Sequence, residues 1–242
     1  MSEDEPLKEI PESLFSDDDG TADARLAQAL IRYSRGKVPL TDVVDALAYA
    51  RVLIPVLAHG ERRQAGKHGL PQDAVASAGV VAVQMPDGRA ALPAFTDVDA
   101  MKAWNADARP IPAEGPRAAL AAINEEWSAI VLNPGMETVL IPRPAVWALG
   151  RGGHWRPAVV AGRVDDEVRS AVQAAVTIDN SLQSVDVAPG AGAEVTIVLR
   201  LIPGLSRPEL DEILARVQRE LAYSDVVAQR IDSLELRLAE AY

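Results

Sequence analysis

Short apolar runs of strand length alternate along this chain with segments whose apolar residues recur at helical spacing. The runs "RVLIPVLA" (51–58) and "AEVTIVLRLI" (193–202) are rich in Val, Ile and Leu, as buried strands are. By contrast, "RPELDEILARVQRELA" (207–222) carries apolar residues at 210, 213, 214, 217 and 221, which is the spacing of an amphipathic helix. The pattern predicts an α+β fold, and 48% hydrophobic residues suffice for a buried core.

A glycine-rich stretch divides the chain into two candidate modules. "GRGGHW" (150–155) has three glycines in four positions, which is typical of a helix end followed by a hinge. Residues 21–150 are predicted to form a mixed α/β domain with hairpins, with turns at Gly88 and Gly135. Residues 151–242 show the element order β-α-β-β-α-β, which predicts a ferredoxin-like second module.

Negative charge is concentrated at the start of the chain. Residues 1–20 hold eight acidic residues and one lysine, so they carry −7 of the net charge of −11 and leave −4 for everything else. Few large apolar residues and repelling charges predict a disordered acidic tail. Neither part shows the basic patch of a nucleic-acid-binding protein, so nucleic acid is not expected as a partner.

The composition also limits the chemistry and the compartment that we expect. The chain has no cysteine, which excludes disulfides, thiolate nucleophiles and cysteine metal sites. No stretch approaches the roughly 20 apolar residues of a membrane span. The opening "MSEDEPLKEI" is acidic where a secretory signal needs a basic start. We therefore expect a soluble, cytoplasmic protein without a membrane partner.

The phrase "ALPAFTDVDAMKAW" (91–104) predicts the junction of a strand with a helix. The strand ends at Phe95, and Thr96 is placed to cap the helix, with Asp99 three residues later as in a capping box. Asp97 lies in the first turn, where the helix dipole favours a carboxylate, and Trp104 lies on the apolar face. Every polar residue of the phrase therefore has a structural role, and we interpret it as a structural signature.

Four phrases together resemble the N-terminal domain of the SseB family: "RVLIPVLA", "DGRAALPAFTDVDAMKAW", "IVLNPG" and "PRPAVWAL", within roughly residues 40 to 150. Residues 155–242 look like the C-terminal region of that family, and the alanine-rich, cysteine-free style is similar to its actinobacterial members. The family name is tied to an enhanced serine sensitivity trait and implies no reaction. A type III secretion translocator shares the name, but this chain lacks the long hydrophobic segments of such a protein. The resemblance therefore supplies no catalytic residue.

One polar loop, "HGERRQAGKHG" (59–69), contains the best candidates for binding an anion or a partner. Arg62, Arg63 and Lys67 form its basic cluster, which could attract an anion or the acidic tail of the same chain. His59 and His68 could ligate a metal, but Glu61 is the only obvious candidate for a third ligand, so we expect a solvated loop. The glycine spacing departs from that of a phosphate-binding P-loop. Neither a metal nor a cofactor is expected.

A second candidate is the first strand–helix junction of the C-terminal module, "VAGRVDDE" (160–167). Modules of this element order resemble ACT domains, which bind amino acids near that junction. The resemblance implies that Gly162 and Arg163 would lie near a ligand carboxylate, since a helix N-terminus follows them. The three acidic residues that follow argue against an anionic ligand.

Taken together, the sequence predicts a non-enzymatic interaction or regulatory protein with an unknown protein partner. The alternative is a small-molecule, amino-acid-sensing module. An enzyme is a third hypothesis, because catalytic sites can consist of carboxylates alone, but the chain lacks the usual nucleophile and metalloprotease motifs. A homodimer formed through exposed strand edges is compatible with the sequence.

Overall fold

The computed structural model describes residue 15 and residues 18–57 and 79–241, and it has the predicted α+β composition. The N-terminal module contains five helices and six strands within these ranges. The helices are α1 (Ala24–Ser34), α2 (Leu40–Leu47), α3 (Val98–Trp104), α4 (Gly115–Asn124) and α5 (Arg143–Gly150). The strands are β1 (Arg51–Val56), β2 (Val83–Gln84), β3 (Ala90–Ala94), β4 (Arg109–Glu114), β5 (Ala129–Leu132) and β6 (Val139–Ile141).

The central sheet of this module has the order β2-β3-β5-β6. Its middle strands, β3 and β5, are parallel, while β2 and β6 join their neighbours as antiparallel hairpins. Both hairpins were predicted, and Gly88 and Gly135 occupy their turns with φ of 86° and 85°. A parallel pair needs a long crossover, here α3, β4 and α4. The carboxyl ends of β3 and β5 therefore lie side by side at the same end of the sheet.

Strands β1 and β4 form a separate antiparallel ribbon. Its register places Pro55 opposite Pro110, and β1 touches the central sheet through the bridge between Leu53 and Phe95. Both strands of this ribbon are edges, where a proline within a strand is tolerated. Strand β4 was not predicted, because two prolines in "RPIPAE" remove ladder donors and are tolerated only at such edges.

The core of the N-terminal module is almost entirely aliphatic. Helices α1, α2, α4 and α5 form one core with β1 and the central sheet, and Leu26, Leu47 and Leu149 are buried in it. Trp155, the last residue of the glycine-rich stretch, also packs against this core. The first buried residue of the second core is Ala158, so the boundary between modules lies between Trp155 and Ala158.

The C-terminal module is built on a three-stranded sheet. Its elements are β7 (Val159–Val160), β8 (Arg163–Val164), α6 (Asp166–Ala175), β9 (Leu182–Pro189), β10 (Val195–Leu201), α7 (Arg207–Ala222), α8 (Asp225–Arg230) and β11 (Leu234–Glu240). The sheet order is β11-β10-β9, with β9 antiparallel and β11 parallel to β10. The buried face packs side chains of α6 and α7, including Val172 and Val217.

The ferredoxin-like arrangement predicted for this module is not confirmed. In that arrangement the first strand lies beside the third. Here the two neighbours of β10 are β9 and β11. The segment that comes first along the chain, where the first strand was predicted, forms the short β7–β8 hairpin, which is a separate two-stranded ladder. With two residues on each arm, this hairpin is too short to complete the sheet.

Candidate functional site

The carboxyl ends of β3 and β5 are joined by a buried polar network. The Thr96 backbone N–H donates to Asn133 Oδ1 at 3.0 Å, and Asn133 Nδ2 donates to Thr96 Oγ1 at 3.1 Å. Thr96 is only 4% exposed, so these bonds satisfy groups that water does not reach. Asn133 has φ of 48°, a conformation that asparagine tolerates better than most residues. The network fixes the edge where open α/β sheets commonly bind ligands.

The residue that caps α3 is Asp97, so the prediction that Thr96 is the N-cap was wrong by one position. Asp97 Oδ1 accepts from the Ala100 N–H at 2.8 Å, and its Oδ2 accepts from the Thr96 hydroxyl at 2.9 Å. Thr96 instead turns toward Asn133, because the parallel neighbour offers it a partner that local sequence does not reveal. Asp99 remains in the first turn of the helix.

The aromatic part of the signature is also internal. Phe95 is fully buried, and its ring centroid lies 5.3 Å from that of Trp104 in a tilted geometry. Such aromatic pairs contribute about 0.5–1.5 kcal/mol beyond the burial of their area. Phe95, Thr96, Asp97 and Trp104 therefore make internal contacts where β3 meets α3.

Arg51 connects the segment that precedes α1 to the end of β3. Its guanidinium donates to the Thr96 carbonyl at 2.9 Å, to the Thr21 carbonyl at 2.6 Å and to the Asp18 carboxylate at 2.6 Å. The side chains of Arg51 and Asp18 are 15% and 12% exposed, so this ion pair is largely withdrawn from solvent. The sequence had assigned Asp18 to a disordered tail ending at residue 20. The contact with β1 places the start of the folded module at Asp18 or before.

The basic cluster predicted at Arg62, Arg63 and Lys67 lies outside the described residues, as do His59 and His68. The third histidine, His154, is exposed and its Nδ1 lies 3.4 Å from an Asp45 carboxylate oxygen. Within residues 18–57 and 79–241, no group of three or more metal-ligating side chains is present.

The predicted ligand junction at Gly162 and Arg163 is a tight exposed turn. Ala161 and Gly162 have φ of 50° and 73°, which is the left-handed pair of a two-residue β-hairpin loop. The N-terminus of α6 follows, and the Asp165 carboxylate accepts from the Glu167 N–H at 3.2 Å and from the Val168 N–H at 3.4 Å. The helix N-terminus is thus already occupied by a carboxylate of the chain itself.

Two arginines surround this cap. Arg230 lies 3.3 Å from Asp165 and 3.0 Å from Glu167, and Arg156 lies 2.9 Å from Glu167. Arg230 also donates to the carbonyls of Arg156 and Pro157, at 2.7 Å and 3.1 Å. The cluster fastens the linker between the modules to α6 and α8.

We expect no amino-acid binding at this junction, because a ligand carboxylate would have to displace Asp165 from the helix N-terminus and from Arg230. Isothermal titration with serine at millimolar concentration should therefore release no binding heat. Asp165→Ala, which vacates the cap, is the informative comparison. Saturable heat with the unmodified chain would contradict this expectation and favour the amino-acid-sensing alternative.

A polar cluster connects the two modules at the opposite edge of the central sheet. Arg89 lies 3.3 Å from Asp232, and the backbone N–H of Arg143 donates to Asp232 at 3.2 Å. The Arg143 guanidinium donates to the carbonyls of Ala228 and Ile231, at 2.9 Å and 2.7 Å. Since Arg89 precedes β3 and Arg143 follows β6, both project from the end of the sheet that lies away from Thr96. No sequence motif pointed to this cluster, because its members are distant along the chain. Asp232 is separated from Arg143 by 89 positions and from Arg89 by 143 positions.

Glu194 completes this cluster from within the C-terminal module. Its carboxylate accepts from the Asp232 N–H at 2.8 Å. Burial, together with the nearby negative charge of Asp232, raises the pKa of Glu194 above its usual value. The charged form of Glu194 therefore costs folding free energy at neutral pH.

Glu194→Gln should raise the thermal unfolding midpoint at pH 7, because glutamine keeps the acceptor oxygen without the buried charge. The folded-state pKa lies above the unfolded value, so the native Glu194 binds a proton more readily than the unfolded one. The advantage of the variant should shrink as pH falls through the raised pKa and vanish below the unfolded pKa. Thermal unfolding between pH 7 and pH 4 tests this, and a pH-independent difference would contradict it.

A surface patch with the composition of a binding hot spot lies on α4 and α5. Trp147 is 38% exposed and Leu120 is 44% exposed, and the Arg151 guanidinium carbon lies 4.8 Å from the Trp147 ring centroid. The two helices approach closely here, since a Cβ at Gly150 would lie 3.3 Å from Leu120 Cδ2. We define Leu120, Trp147 and Arg151 as the α4/α5 patch.

A pocket lies among α7, α8, the start of β11 and Arg143 of the N-terminal module. It has a volume of about 260 Å³ and is mainly apolar, lined by Leu221, Val227, Ile231 and Leu234. Ligand pockets typically measure about 300–1,000 Å³, so this one accommodates a side chain better than a whole metabolite.

These features define a two-module α+β protein whose buried polar clusters connect its own segments and whose exposed apolar groups lie on helices and a strand edge. A family model, SseB protein N-terminal domain, matches residues 26–148, which is just over half of the 242-residue chain. The chain therefore belongs to the SseB family. The match does not extend over the C-terminal module, so the likeness to the family's C-terminal region and to actinobacterial members stays a prediction. No curated protein and no solved structure matches the chain. Among the described residues, none of the helices combines the length and apolarity needed to cross a bilayer.

Proposed function

We propose that this SseB family protein is a non-enzymatic, cytoplasmic interaction protein that binds a partner protein through the α4/α5 patch. The single observation that supports this proposal is the exposure of Trp147 beneath the Arg151 guanidinium. Tryptophan and arginine are enriched among the residues that dominate interface energetics, and they act from the centre of a patch. A tryptophan needed only for folding would be buried, as Trp127 is in the same module.

The charges around the patch suggest the chemistry of the partner. Arg151 is exposed at the end of α5, and Arg117, one turn before Leu120, has a side chain that is 68% exposed. Glu114 lies 3.8 Å from Arg117 and offsets that charge in part, while Arg151 forms no ion pair within the described residues. An apolar side chain flanked by a carboxylate would fit this surface, because the ring takes the apolar group and Arg151 takes the acid.

Affinity capture from the source lysate tests the proposal with a matched pair of variants. The bait is the full chain, and the variants are Trp147→Ala in the patch and Tyr223→Ala, an 88% exposed aromatic in the other module. We expect one stoichiometric protein with the native chain and with Tyr223→Ala, and its loss with Trp147→Ala. Capture that is unaffected by Trp147→Ala, or the absence of any stoichiometric partner, would contradict the proposal.

The same experiment examines the acidic tail. A chain that begins at Asp18 keeps the ion pair with Arg51 and removes most of the tail charge, whereas one that begins at Gly20 breaks the pair. If the α4/α5 patch binds the partner, the chain beginning at Asp18 should capture it as efficiently as the full chain.

A further inference from the structure

Strand β11 forms an open edge of the C-terminal sheet. The Ser233 carbonyl accepts from the Val195 N–H at 3.2 Å, and the Ala241 N–H donates to the Leu201 carbonyl at 2.8 Å. Backbone groups alternate in direction along a strand, so the odd-numbered residues of β11 face β10. The N–H and C=O groups of Leu234, Leu236 and Leu238 therefore face away from the sheet, and no described residue pairs with them.

The opposite edge of the same sheet is protected. On β9, the Arg169 side chain donates to the Val187 carbonyl at 2.7 Å, and the Gln173 side chain donates to the Val185 carbonyl at 3.4 Å. Side chains that occupy edge carbonyls are one means by which proteins prevent strand pairing. Strand β11 has no such cover among the described residues, so the two edges of the sheet differ in their readiness to pair.

The side chains of β11 are arranged for a partner that is also apolar on one face. Leu234 and Leu238 lie on the helix-covered face but are 38% and 43% exposed. Leu234 also lines the 260 Å³ apolar pocket, to which Arg143 of the N-terminal module contributes. Glu235 and Arg237 lie on the other face, 3.8 Å apart within the same strand, and Glu235 also accepts from the Thr196 hydroxyl.

We propose that β11 pairs antiparallel with β11 of a second copy of this chain, with the two-fold axis at Leu236, to form a continuous six-stranded sheet. In this register, Leu234 of each copy faces Leu238 of the other, and Glu235 of each copy faces Arg237 of the other. The outward backbone groups of Leu236 meet those of the same residue in the second copy, so the hydrogen-bonding phase is also satisfied. Closed two-fold pairing is the commonest symmetry of soluble oligomers.

The charges distinguish this register from its nearest alternative. A two-fold axis at Arg237 keeps the hydrogen-bonding phase but places Arg237 directly opposite itself, and like charges in facing positions are destabilising. The axis at Leu236 converts the same residues into two opposite-charge pairs. The self-complementary pattern is the reason for assigning a second copy, and not an unrelated strand, as the occupant. This inference is independent of the α4/α5 patch, which lies in the other module.

Sedimentation velocity of the full chain over a range of concentrations tests the proposal. We expect a monomer–dimer equilibrium that Arg237→Glu weakens at least tenfold, since Glu235 would then face a glutamate. The double variant Glu235→Arg with Arg237→Glu should restore the dimer, because the facing pairs are reversed but remain opposite in charge. Arg207→Glu, at a side chain 85% exposed on α7, is the control and should leave the equilibrium unchanged.

A covalent test keeps the register falsifiable if a charge variant does not fold. The chain has no cysteine, so Leu236→Cys introduces one thiol at the proposed axis. Hydrogen-bonded antiparallel pairs have Cα atoms about 5.5 Å apart, within the range that a disulfide spans. Mild oxidation should give a disulfide-linked dimer with Leu236→Cys and none with Val160→Cys, which is equally a surface position. A monomeric native chain at 100 μM, or equal cross-linking of the two variants, would overturn the proposal.

Discussion

Gly115→Ala is expected to destabilise the folded chain by about 3 kcal/mol or more, near the upper end of what overpacking costs. A Cβ at this position would lie 1.9 Å from the Leu47 carbonyl oxygen and 2.9 Å from the Leu47 carbonyl carbon. The clash is with backbone, which cannot rotate away as a side chain can, so α2 and α4 would have to separate. Both helices contribute to the main N-terminal core, and the separation would open that core to solvent.

Thermal or denaturant unfolding checks this prediction with a matched control. In a chain of this size, about 3 kcal/mol lowers the unfolding midpoint by roughly 6–12 °C. Gly153→Ala is the control, because its Cβ would have only an ordinary contact at 3.6 Å and its backbone is not left-handed. We expect Gly153→Ala to change the free energy of unfolding by no more than about 0.5 kcal/mol. Equal stability of Gly115→Ala and Gly153→Ala would show that α2 and α4 are not in close contact.

Arg51→Met should cost about 3–5 kcal/mol of folding free energy, because it removes the counterion of a largely buried carboxylate. The Asp18 carboxylate would lose its partner, and its other oxygen already has no hydrogen-bond partner among the described residues. The carbonyls of Thr21 and Thr96 would also lose a donor. Methionine keeps much of the apolar stem, so the loss reports on the guanidinium and not on packing volume.

An exposed ion pair in the other module provides the comparison. Arg207 lies 3.3 Å from Asp211 on α7, but the side chains are 85% and 60% exposed. Exposed pairs of this kind contribute about 0.2–1 kcal/mol, so Arg207→Met should change stability little. Chemical denaturation of both variants is sufficient. Losses of similar size for Arg51→Met and Arg207→Met would contradict the interpretation that Arg51 anchors the entry of the chain.

Local sequence was informative wherever one short segment determines the structure. Gly88 and Gly135 indicated hairpins because their turns require positive φ, and both hairpins are present. The helix at 207–222 followed from its apolar periodicity, and its bounds are Arg207–Ala222. Pro144 lies in the first turn of α5, where its missing N–H has no cost.

Sequence reasoning failed where the partner is distant along the chain. Thr96 was read as a cap because nothing local indicates that Asn133, 37 positions away, competes for its side chain. Arg51 was read only as the first residue of a strand, although its guanidinium meets Asp18 at 33 positions' separation. The parallel pairing of β3 with β5 explains the wrong prediction for Thr96, because the sequence of an apolar strand does not show which strand it pairs with.

The candidate surfaces show the same limit. A helical pattern gives the apolar face of a helix but not the fraction of each residue that neighbours leave uncovered, so it does not determine the exposure of Trp147. The open edge of β11 depends likewise on strand order, and the predicted ferredoxin-like order was not confirmed. The general expectation of exposed strand edges was made from sequence, but not which edge or which register.

The most direct test of the proposed function is a binding isotherm with the purified captured partner. Calorimetric titration would compare the native chain, Trp147→Ala and Tyr223→Ala, each shown to be folded by circular dichroism. We predict that Trp147→Ala raises the dissociation constant by roughly thirtyfold or more, as expected for a hot spot of about 2 kcal/mol. Tyr223→Ala should bind like the native chain. Equal affinity of all three proteins would contradict the claim that this family member acts through the α4/α5 patch.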